Sequence, residues 1–292
     1  MVLGMKIATA EGRVLKAGGR VVKNVAGYDI ARLLIGSHGT LGVIVETSFK
    51  LFPLPAERET FVIAAGTLGI ARDLRRRILQ SPLTPLRMVL LDARAAGLTL
   101  AGTPLARPAK EPEVWLEMAG SPRVKERCHR ELQTLAKAAG APLQSLGAGD
   151  ADHLWTRSSD LQSWLPGRNP DAVILKALLP DAASEELVSR AEQEAESDKV
   201  ALASFVQLGV GVVRFALLLE ATPRSVPELI LRLREAAESF GGVLVVERCP
   251  LAIKEGVDVW GKPGDDFAVM RKIKKAWDPS GVLSPGRLLG RL

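Results

Sequence analysis

The sequence predicts an α+β protein in which a mainly antiparallel sheet carries helices, mainly on one face. From residue 61 onward, strand-like apolar segments alternate with amphipathic segments of helical period. The apolar segments 200–208 and 212–219 are separated only by Gly209-Val-Gly211, which is typical of antiparallel neighbours. A glycine-rich run over residues 19–46 has a different texture and indicates a separate part of the molecule.

Residues 1–58 are expected to form short strands and one helix. Two apolar segments flank a turn at Glu11-Gly12, and Asp29 is placed to cap a short helix. A longer alternating segment ends at Pro53, because proline cannot donate to a strand ladder. The expected elements are strands over 2–8, 14–17 and 41–51 and a helix over 29–34.

Residues 59–255 are expected to repeat strands and helices. Ser121-Pro122 marks one helix start, and Gly140 lies just past the end of that helix. Residues 148–170, with Trp155 and Trp164, are expected to form a lid or an interface. The other expected strands are 61–65, 88–92, 114–118, 173–179 and 243–247. The other expected helices are 68–80, 184–196 and 225–240. Residues 104–112 are expected to be an exposed loop.

Residues 256–292 contain one expected helix, over 265–277, followed by the motifs Asp278-Pro-Ser-Gly and Ser284-Pro-Gly-Arg287. A chain end rich in proline and glycine adds little to a core, so this segment is expected to cross back to the first part. Arg287 either ties the tail to that part or forms a structural ion pair.

Composition and charge argue against several function classes. The formal net charge is +6, but the basic residues are scattered and only one tyrosine is present, which disfavours a nucleic-acid-binding face. The charge suits an acidic partner or an anionic membrane surface better. The chain has no apolar run long enough for a membrane span and no signal-peptide layout, so a cytoplasmic location is expected. Cys128 and Cys249 are expected to be reduced thiols, and the three histidines are too scattered to predict a metal site.

Two motifs in the glycine-rich run combine small and polar residues. The first is Lys23-Asn24-Val25-Ala26-Gly27-Tyr28-Asp29, in which Gly27 permits a tight turn, although a capped turn alone would also explain it. The second is Gly36-Ser37-His38-Gly39-Thr40-Leu41-Gly42-Val43-Ile44, whose small residues let the backbone approach a planar ring or a phosphate. The glycine spacing is not Gly-x-Gly-x-x-Gly, which argues against a nicotinamide site.

These motifs, with the exit Phe49-Lys50-Leu51-Phe52-Pro53 and the tail, resemble those of FAD-linked oxidases with the vanillyl-alcohol-oxidase (PCMH) fold. Within that family they are most similar to the FAD-binding, GlcE-type subunits of bacterial glycolate oxidases. The resemblance implies that residues 1–58 are the C-terminal part of a PCMH-type FAD-binding domain, that 59–255 are an α/β-sandwich cap domain, and that 256–292 return to the FAD domain. It implies FAD as the cofactor, with contacts at Lys23, Asn24, Val25, Ala26, Gly27, Tyr28, Asp29, Gly36, Gly39, Thr40, Leu41, Gly42, Val43 and Ile44.

Three departures from the family pattern leave the catalytic residues unassigned. Relatives that oxidise 2-hydroxy acids carry an arginine just before the first motif, where this chain has Val22. They also carry an H-x-G-D-G-N-x-H-like segment, whereas the comparable segment here, from Ser204 to Arg214, has no histidine or aspartate. Complete family members begin with a subdomain that cradles the FAD pyrophosphate, and this chain is expected to start after it.

The resemblance implies a FAD-binding subunit of a glycolate oxidase-type complex, which supports oxidation of glycolate to glyoxylate and passes electrons to an iron–sulfur partner. The expected partners are a catalytic, GlcD-like FAD subunit and an iron–sulfur, GlcF-like subunit, with peripheral contact to the inner membrane through the complex. Two alternatives stay open. One is a non-catalytic scaffold subunit with an incomplete FAD site, and the other is a stand-alone FAD-dependent alcohol or hydroxy-acid oxidase.

Overall fold

The structure, a computed structural model, describes residues 1–19, 28–55, 57–220 and 225–292. Internal contacts divide the chain into two compact units. Unit 1 comprises Met1–Leu54 and Trp260–Leu292, and unit 2 comprises Pro55–Val259. The assignment of residues 1–58, 59–255 and 256–292 to a FAD-binding domain, a cap domain and a returning segment stays a prediction.

Unit 1 contains a three-stranded antiparallel sheet in the order β2-β1-β3. One side of this sheet packs on a small core, formed by Met5, Ile7, Ala17, Ala31, Leu34 and Leu41. Asp29 caps the first helix by accepting the Arg32 amide at 3.2 Å, as the sequence predicted. The elements of unit 1 are β1 Val2–Ala8, β2 Val14–Gly18, α1 Ile30–Leu34, β3 Val43–Phe49 and, near the C-terminus, α10 Phe267–Trp277.

Unit 2 is built on one eight-stranded sheet in the order β11-β8-β10-β9-β5-β6-β4-β7. Every strand pair in it is antiparallel, which confirms the predicted mainly antiparallel sheet. The strands are β4 Arg58–Ala64, β5 Arg87–Leu91, β6 Glu113–Ala119, β7 Leu143–Leu146, β8 Val173–Leu178, β9 Ala201–Gln207, β10 Val212–Leu218 and β11 Val243–Arg248. The helices are α2 Leu68–Gln80, α3 Ala93–Leu100, α4 Pro122–Ala138, α5 Ala148–Ser159, α6 Leu161–Trp164, α7 Ser184–Ser197, α8 Val226–Ser239 and α9 Leu251–Gly256.

The sheet of unit 2 carries helices on both faces rather than mainly on one. The larger core lies under α2, α4, α7 and α8. A second core on the opposite face contains Trp115 and receives α3, α5 and α6. Residues 148–170 contribute Leu154, Trp155, Leu161 and Leu165 to this second core, so the segment is a core layer rather than a lid, and the other predicted role, an interface, stays a prediction.

Helix α3 was not expected from the sequence, because its small residues give no clear apolar stripe. Its start is fixed by Asp92, whose carboxylate accepts the Ala95 amide at 2.7 Å and the Ser204 amide of β9 at 2.6 Å. The cap therefore depends on a strand that is distant in sequence. Burial raises the pKa of the Asp92 carboxyl, although both of these hydrogen bonds act in the opposite direction.

Replacing Glu192 of α7 by glutamine is expected to raise the free energy of unfolding at pH 7. Burial, and secondarily the charge of Asp92, raise the pKa of the Glu192 carboxyl in the folded state. A carboxyl whose pKa is raised in the folded state lowers the free energy of unfolding as the pH rises above its unfolded pKa of about 4.3. Glu192→Gln should therefore raise the free energy of unfolding at pH 7 and change it little near pH 4. Urea denaturation at both pH values measures this. The exposed Glu196 of the same helix supplies the control, Glu196→Gln, and equal effects of Glu192→Gln at the two pH values would contradict the prediction.

Candidate functional site

The predicted cofactor contacts fall into two groups. Lys23, Asn24, Val25, Ala26 and Gly27 lie outside the described residues. Tyr28 is 96% exposed, and Asp29 caps α1. The remaining predicted residues belong to a loop over residues 36–42, here called the glycine loop, and to the first two residues of β3.

The glycine loop is held in left-handed backbone conformations. Gly36 has a φ of 86°, His38 of 52° and Gly39 of 78°. Thr40 closes the loop, because its amide and its hydroxyl both donate to Ser37 O, at 3.0 and 2.7 Å. A left-handed conformation at a residue other than glycine costs about 1–2 kcal/mol, so His38 is held there by its surroundings.

The tail of the chain provides part of those surroundings within unit 1. The His38 ring meets the Trp260 ring edge-on, with 5.2 Å between their centroids. Trp260 Nε1 in turn donates to Arg287 O at 3.1 Å. This bond joins two residues of the C-terminal segment, so the role predicted for Arg287, either a tie of the tail to the first part or a structural ion pair, stays a prediction.

The predicted residues of the glycine loop and β3 differ in how far they are exposed. Thr40 and Leu41 are buried, and a Cβ on Gly42 would lie only 2.6 Å from Ile7 Cγ2. Gly36 is exposed and has nothing within 4 Å of its Cβ position. The exposed members of this group are therefore Gly36, Val43 and Ile44, whereas Gly42 is required by packing inside unit 1.

The exposed side of the glycine loop fits a flat or phosphorylated cofactor. Left-handed glycines leave main-chain groups uncovered by side chains, and such backbone concavities accommodate phosphates and ring edges. Val43 and Ile44 are exposed apolar residues just after the loop, and as consecutive strand residues they point to opposite sides of β3. The described residues of this loop are thus compatible with FAD, held largely by the main chain.

A second candidate site lies in unit 2, on the sheet face that also carries α3. Arg214 of β10 and Lys176 of β8 are direct cross-strand partners. Arg214 Nε lies 3.1 Å from Glu247 Oε2 of β11, and Lys176 Nζ lies 3.8 Å from Glu247 Oε1. The exposed fractions of the side chains of Arg214, Glu247 and Lys176 are 16%, 17% and 28%. We call these three residues the Arg214 cluster.

The Arg214 cluster contains two cations and one carboxylate. Like charges directly opposite each other on adjacent strands destabilise a sheet, and Glu247 offsets only one of the two positive charges. A similar cluster on the same face is balanced, because Arg58 and Arg87 share the carboxylates of Glu117 and Asp152. Among the described residues, the Arg214 cluster is therefore a place on this face where a small anion would restore neutrality.

The sequence reasoning did not single out Lys176 or Glu247. The signal that could have found them is a charged residue in an otherwise apolar strand, as Lys176 is in Val-Ile-Leu-Lys-Ala-Leu and Glu247 is near the end of Val-Leu-Val-Val-Glu-Arg. The sequence reasoning noted only that residues 204–214 lack histidine and aspartate. The structure adds that Arg214, the last residue of that segment, brings a positive charge to the sheet.

Within the described residues, no group of three or more histidine, cysteine, aspartate or glutamate side chains is arranged to hold a metal ion. Over the same residues, no helix is both long enough and apolar enough to cross a membrane.

The fold and the loop geometry define a member of a flavoprotein class. Residues 54–288 match the family described as FAD linked oxidases, C-terminal domain. The chain belongs to this family of oxidoreductases, and FAD, the cofactor predicted from the sequence, is the one that the family implies.

Comparison with individual proteins supports this assignment. The chain is 28% identical to a D-lactate dehydrogenase of Archaeoglobus fulgidus, over 100% of this chain and 65% of that protein. It is 23% identical to glycolate oxidase subunit GlcD of Bacillus subtilis, over 99% of this chain and 63% of that protein. Glycolate oxidase subunit GlcE of Escherichia coli is 56% identical, but only over 54 residues, which are 18% of this chain and 15% of that protein.

The predicted PCMH-type fold is confirmed by a solved structure. The crystal structure of p-cresol methylhydroxylase with substrate bound superimposes with a TM-score of 0.71 at 15% identity, over 98% of this chain and 64% of that chain. The chain spans slightly less than two thirds of the length of the D-lactate dehydrogenase and GlcD relatives.

Proposed function

We propose that this chain is a FAD-binding subunit of a glycolate oxidase-type complex and supports oxidation of a small 2-hydroxy acid, glycolate to glyoxylate. The observation that carries the proposal is the Arg214 cluster, a surplus positive charge on a partly open sheet face in a FAD-linked oxidase. A 2-hydroxy acid is an anion whose carboxylate matches an arginine fork. The names of the D-lactate dehydrogenase and GlcD relatives point to the same substrate class.

In this proposal the two units have different tasks. The glycine loop of unit 1 holds FAD, with Gly36 giving access to the main chain. Within unit 2, Arg214 and Lys176 offer positive charge to an anion such as the carboxylate of the substrate. FAD supplies the redox chemistry, and the protein supplies binding, orientation and electrostatics.

The proposal includes partner subunits. An iron–sulfur, GlcF-like subunit would receive the electrons, and a catalytic GlcD-like FAD subunit would complete the complex, which would lie in the cytoplasm with peripheral contact to the inner membrane. Exposed apolar side chains on both sides of β3 support contacts with a partner, since Val43, Ile44 and Val45 are each more than 40% exposed. Such a surface on a globular unit is normally covered in the working assembly.

Two alternative functions stay open, and one observation favours each of them. A non-catalytic scaffold subunit with an incomplete FAD site is favoured by the exposed apolar residues of β3. A stand-alone FAD-dependent alcohol or hydroxy-acid oxidase is favoured by the similarity to a D-lactate dehydrogenase along the whole chain.

An absorbance spectrum of the purified protein, followed by a dye-reduction assay, separates the three functions. We expect an oxidised-flavin band near about 450 nm and dye reduction by glycolate only after the two partner subunits are added. A flavin-free protein that still assembles with the partners would support the scaffold. Dye reduction with glycolate or D-lactate by the isolated protein would support the stand-alone oxidase.

A further inference from the structure

A lysine near the C-terminus holds the glycine loop from its inner side. Lys274 Nζ donates to Thr40 O at 2.8 Å, to Leu283 O at 2.8 Å and to Asp278 Oδ2 at 2.6 Å. An ammonium group has three N–H donors, so all of them are used. One side chain thus joins the glycine loop, helix α10 and the tail beyond it.

The anchor of Lys274 is itself rigid. The Asp278 side chain is fully buried, and the Lys274 side chain is 13% exposed. The Asp278 carboxylate also accepts the amides of Val282 at 3.0 Å and Leu283 at 2.8 Å. Burial alone would raise the pKa of Asp278, but the hydrogen bonds from Lys274, Leu283 and Val282 lower it below its usual value, so the carboxylate stays ionised at neutral pH.

The contact with Thr40 O determines how one peptide group of the loop is oriented. A trans peptide group is planar, and its C=O and N–H point in opposite directions. Because Thr40 O points at Lys274, the N–H of Leu41 points away from Lys274. The loop packs closely against the tail, since a Cβ on Gly39 would lie 3.1 Å from Ser284 Oγ. This packing limits other conformations of the loop beside the Thr40–Leu41 peptide group.

We propose that Lys274 is a positioning residue for flavin binding, because it orients the Thr40–Leu41 peptide group and so presents the Leu41 N–H to an oxygen or nitrogen acceptor of FAD. The proposal rests on the proposed function, in which the glycine loop holds FAD. Lys274 acts through the main chain of the loop and touches neither the cofactor nor the substrate.

The test compares a charge-balanced variant with a neighbouring control. Lys274→Met alone would leave the Asp278 carboxylate buried without its partner, which can unfold the tail. The double variant Lys274→Met/Asp278→Asn removes both charges and the contact with Thr40 O. The control is Lys275→Met, which removes an exposed lysine of the same helix.

Three measurements are made on the intact protein. Hydrogen exchange of a peptide covering residues 36–44, without FAD, should be at least about 10-fold faster in the double variant, as expected for loss of a charge-assisted hydrogen bond. The Kd for FAD should rise by about 10-fold, and Lys275→Met should change it less than about 2-fold. At saturating FAD, the visible circular dichroism of the flavin should differ from that of the original protein, which a merely lower stability would not produce.

The outcomes separate this proposal from the proposed function. Unchanged hydrogen exchange over residues 36–44 would show that the loop is held without Lys274. Faster exchange with an unchanged Kd for FAD and an unchanged flavin spectrum would show that FAD binding does not depend on the Thr40–Leu41 peptide group. Either result overturns the proposal. Failure of the unaltered protein to bind FAD would overturn the flavin role and the proposed function together, and the hydrogen exchange would still decide whether Lys274 orders the loop.

Discussion

Replacing Gly42 by valine is expected to destabilise unit 1 by about 3 kcal/mol, at the upper end of the cost of overpacking a core. A Cβ at this position would lie 2.6 Å from Ile7 Cγ2 and 3.3 Å from Ala8 O. Ile7 is fully buried and β-branched, so it has little freedom to move aside. The strand pairing of β1 with β3, in which Ile7 faces Ile44, would shift.

The measurement is hydrogen exchange of β1 and β3, combined with urea denaturation of the whole protein. The control variant is Gly36→Ala, because Gly36 lies in the same loop with open space at its Cβ position. Gly36 has a φ of 86°, a left-handed conformation that alanine adopts less readily than glycine. Gly36→Ala is therefore expected to lower the free energy of unfolding by about 1 kcal/mol. A larger loss of stability in Gly36→Ala than in Gly42→Val would contradict the packing argument.

The pair of variants also separates two causes of flavin loss. In Gly42→Val, loss of flavin would follow from the distortion of unit 1 and would say little about contacts. In Gly36→Ala, loss of flavin from a protein whose unit 1 stays folded would show that the cofactor approaches the exposed main chain. Retention of flavin in Gly36→Ala would place the contact elsewhere on the loop.

Replacing Arg214 by glutamine is expected to weaken binding of glycolate by about 100-fold, which corresponds to about 2.7 kcal/mol. The loss combines a charge-assisted hydrogen bond with the surplus positive charge of the cluster. After the substitution, Lys176 and Glu247 form a neutral pair that no longer attracts an anion. Arg214→Lys keeps the charge but loses the planar fork, so an intermediate loss is expected.

Calorimetric titration of the intact protein with glycolate measures this effect directly. The control variant is Arg232→Gln, because Arg232 of α8 also binds two carboxylates, Glu194 at 2.7 Å and Asp198 at 2.6 Å. Helix α8 covers the opposite face of the sheet, so glycolate binding should be unaffected. Glycolamide, the uncharged analogue, should bind the original protein and Arg214→Gln equally. An unchanged affinity for glycolate in Arg214→Gln would show that the Arg214 cluster does not bind the substrate.

Much of the fold follows from local patterns in the sequence. Strand β1 occupies Val2–Ala8 and helix α2 occupies Leu68–Gln80, as their apolar spacing predicted. Ser121, Pro122 and Gly140 mark the limits of α4 correctly. Helix α3 was missed because its small residues give no clear apolar stripe, and the bond from Ser204 that holds its Asp92 cap comes from far along the chain.

The candidate sites were only partly predictable. The glycine loop was found from its composition, because small residues in series are unusual and indicate close approach of the backbone. The opposite roles of Gly36 and Gly42 could not be read from the sequence, since one faces open space and the other faces Ile7. Lys274 looks like one of several lysines in a basic helix until its three hydrogen-bond acceptors are known.

The α+β class, the order of most elements and the glycine loop could be read from the sequence, because periodicity, caps and composition are local properties of the chain, and the motifs gave the resemblance to FAD-linked oxidases. Which charges meet could not be read from it. Lys176, Arg214 and Glu247 come together through the register of three strands, and Lys274 reaches Thr40 through the packing of unit 1. Register and packing depend on contacts between distant residues, and no local pattern records them.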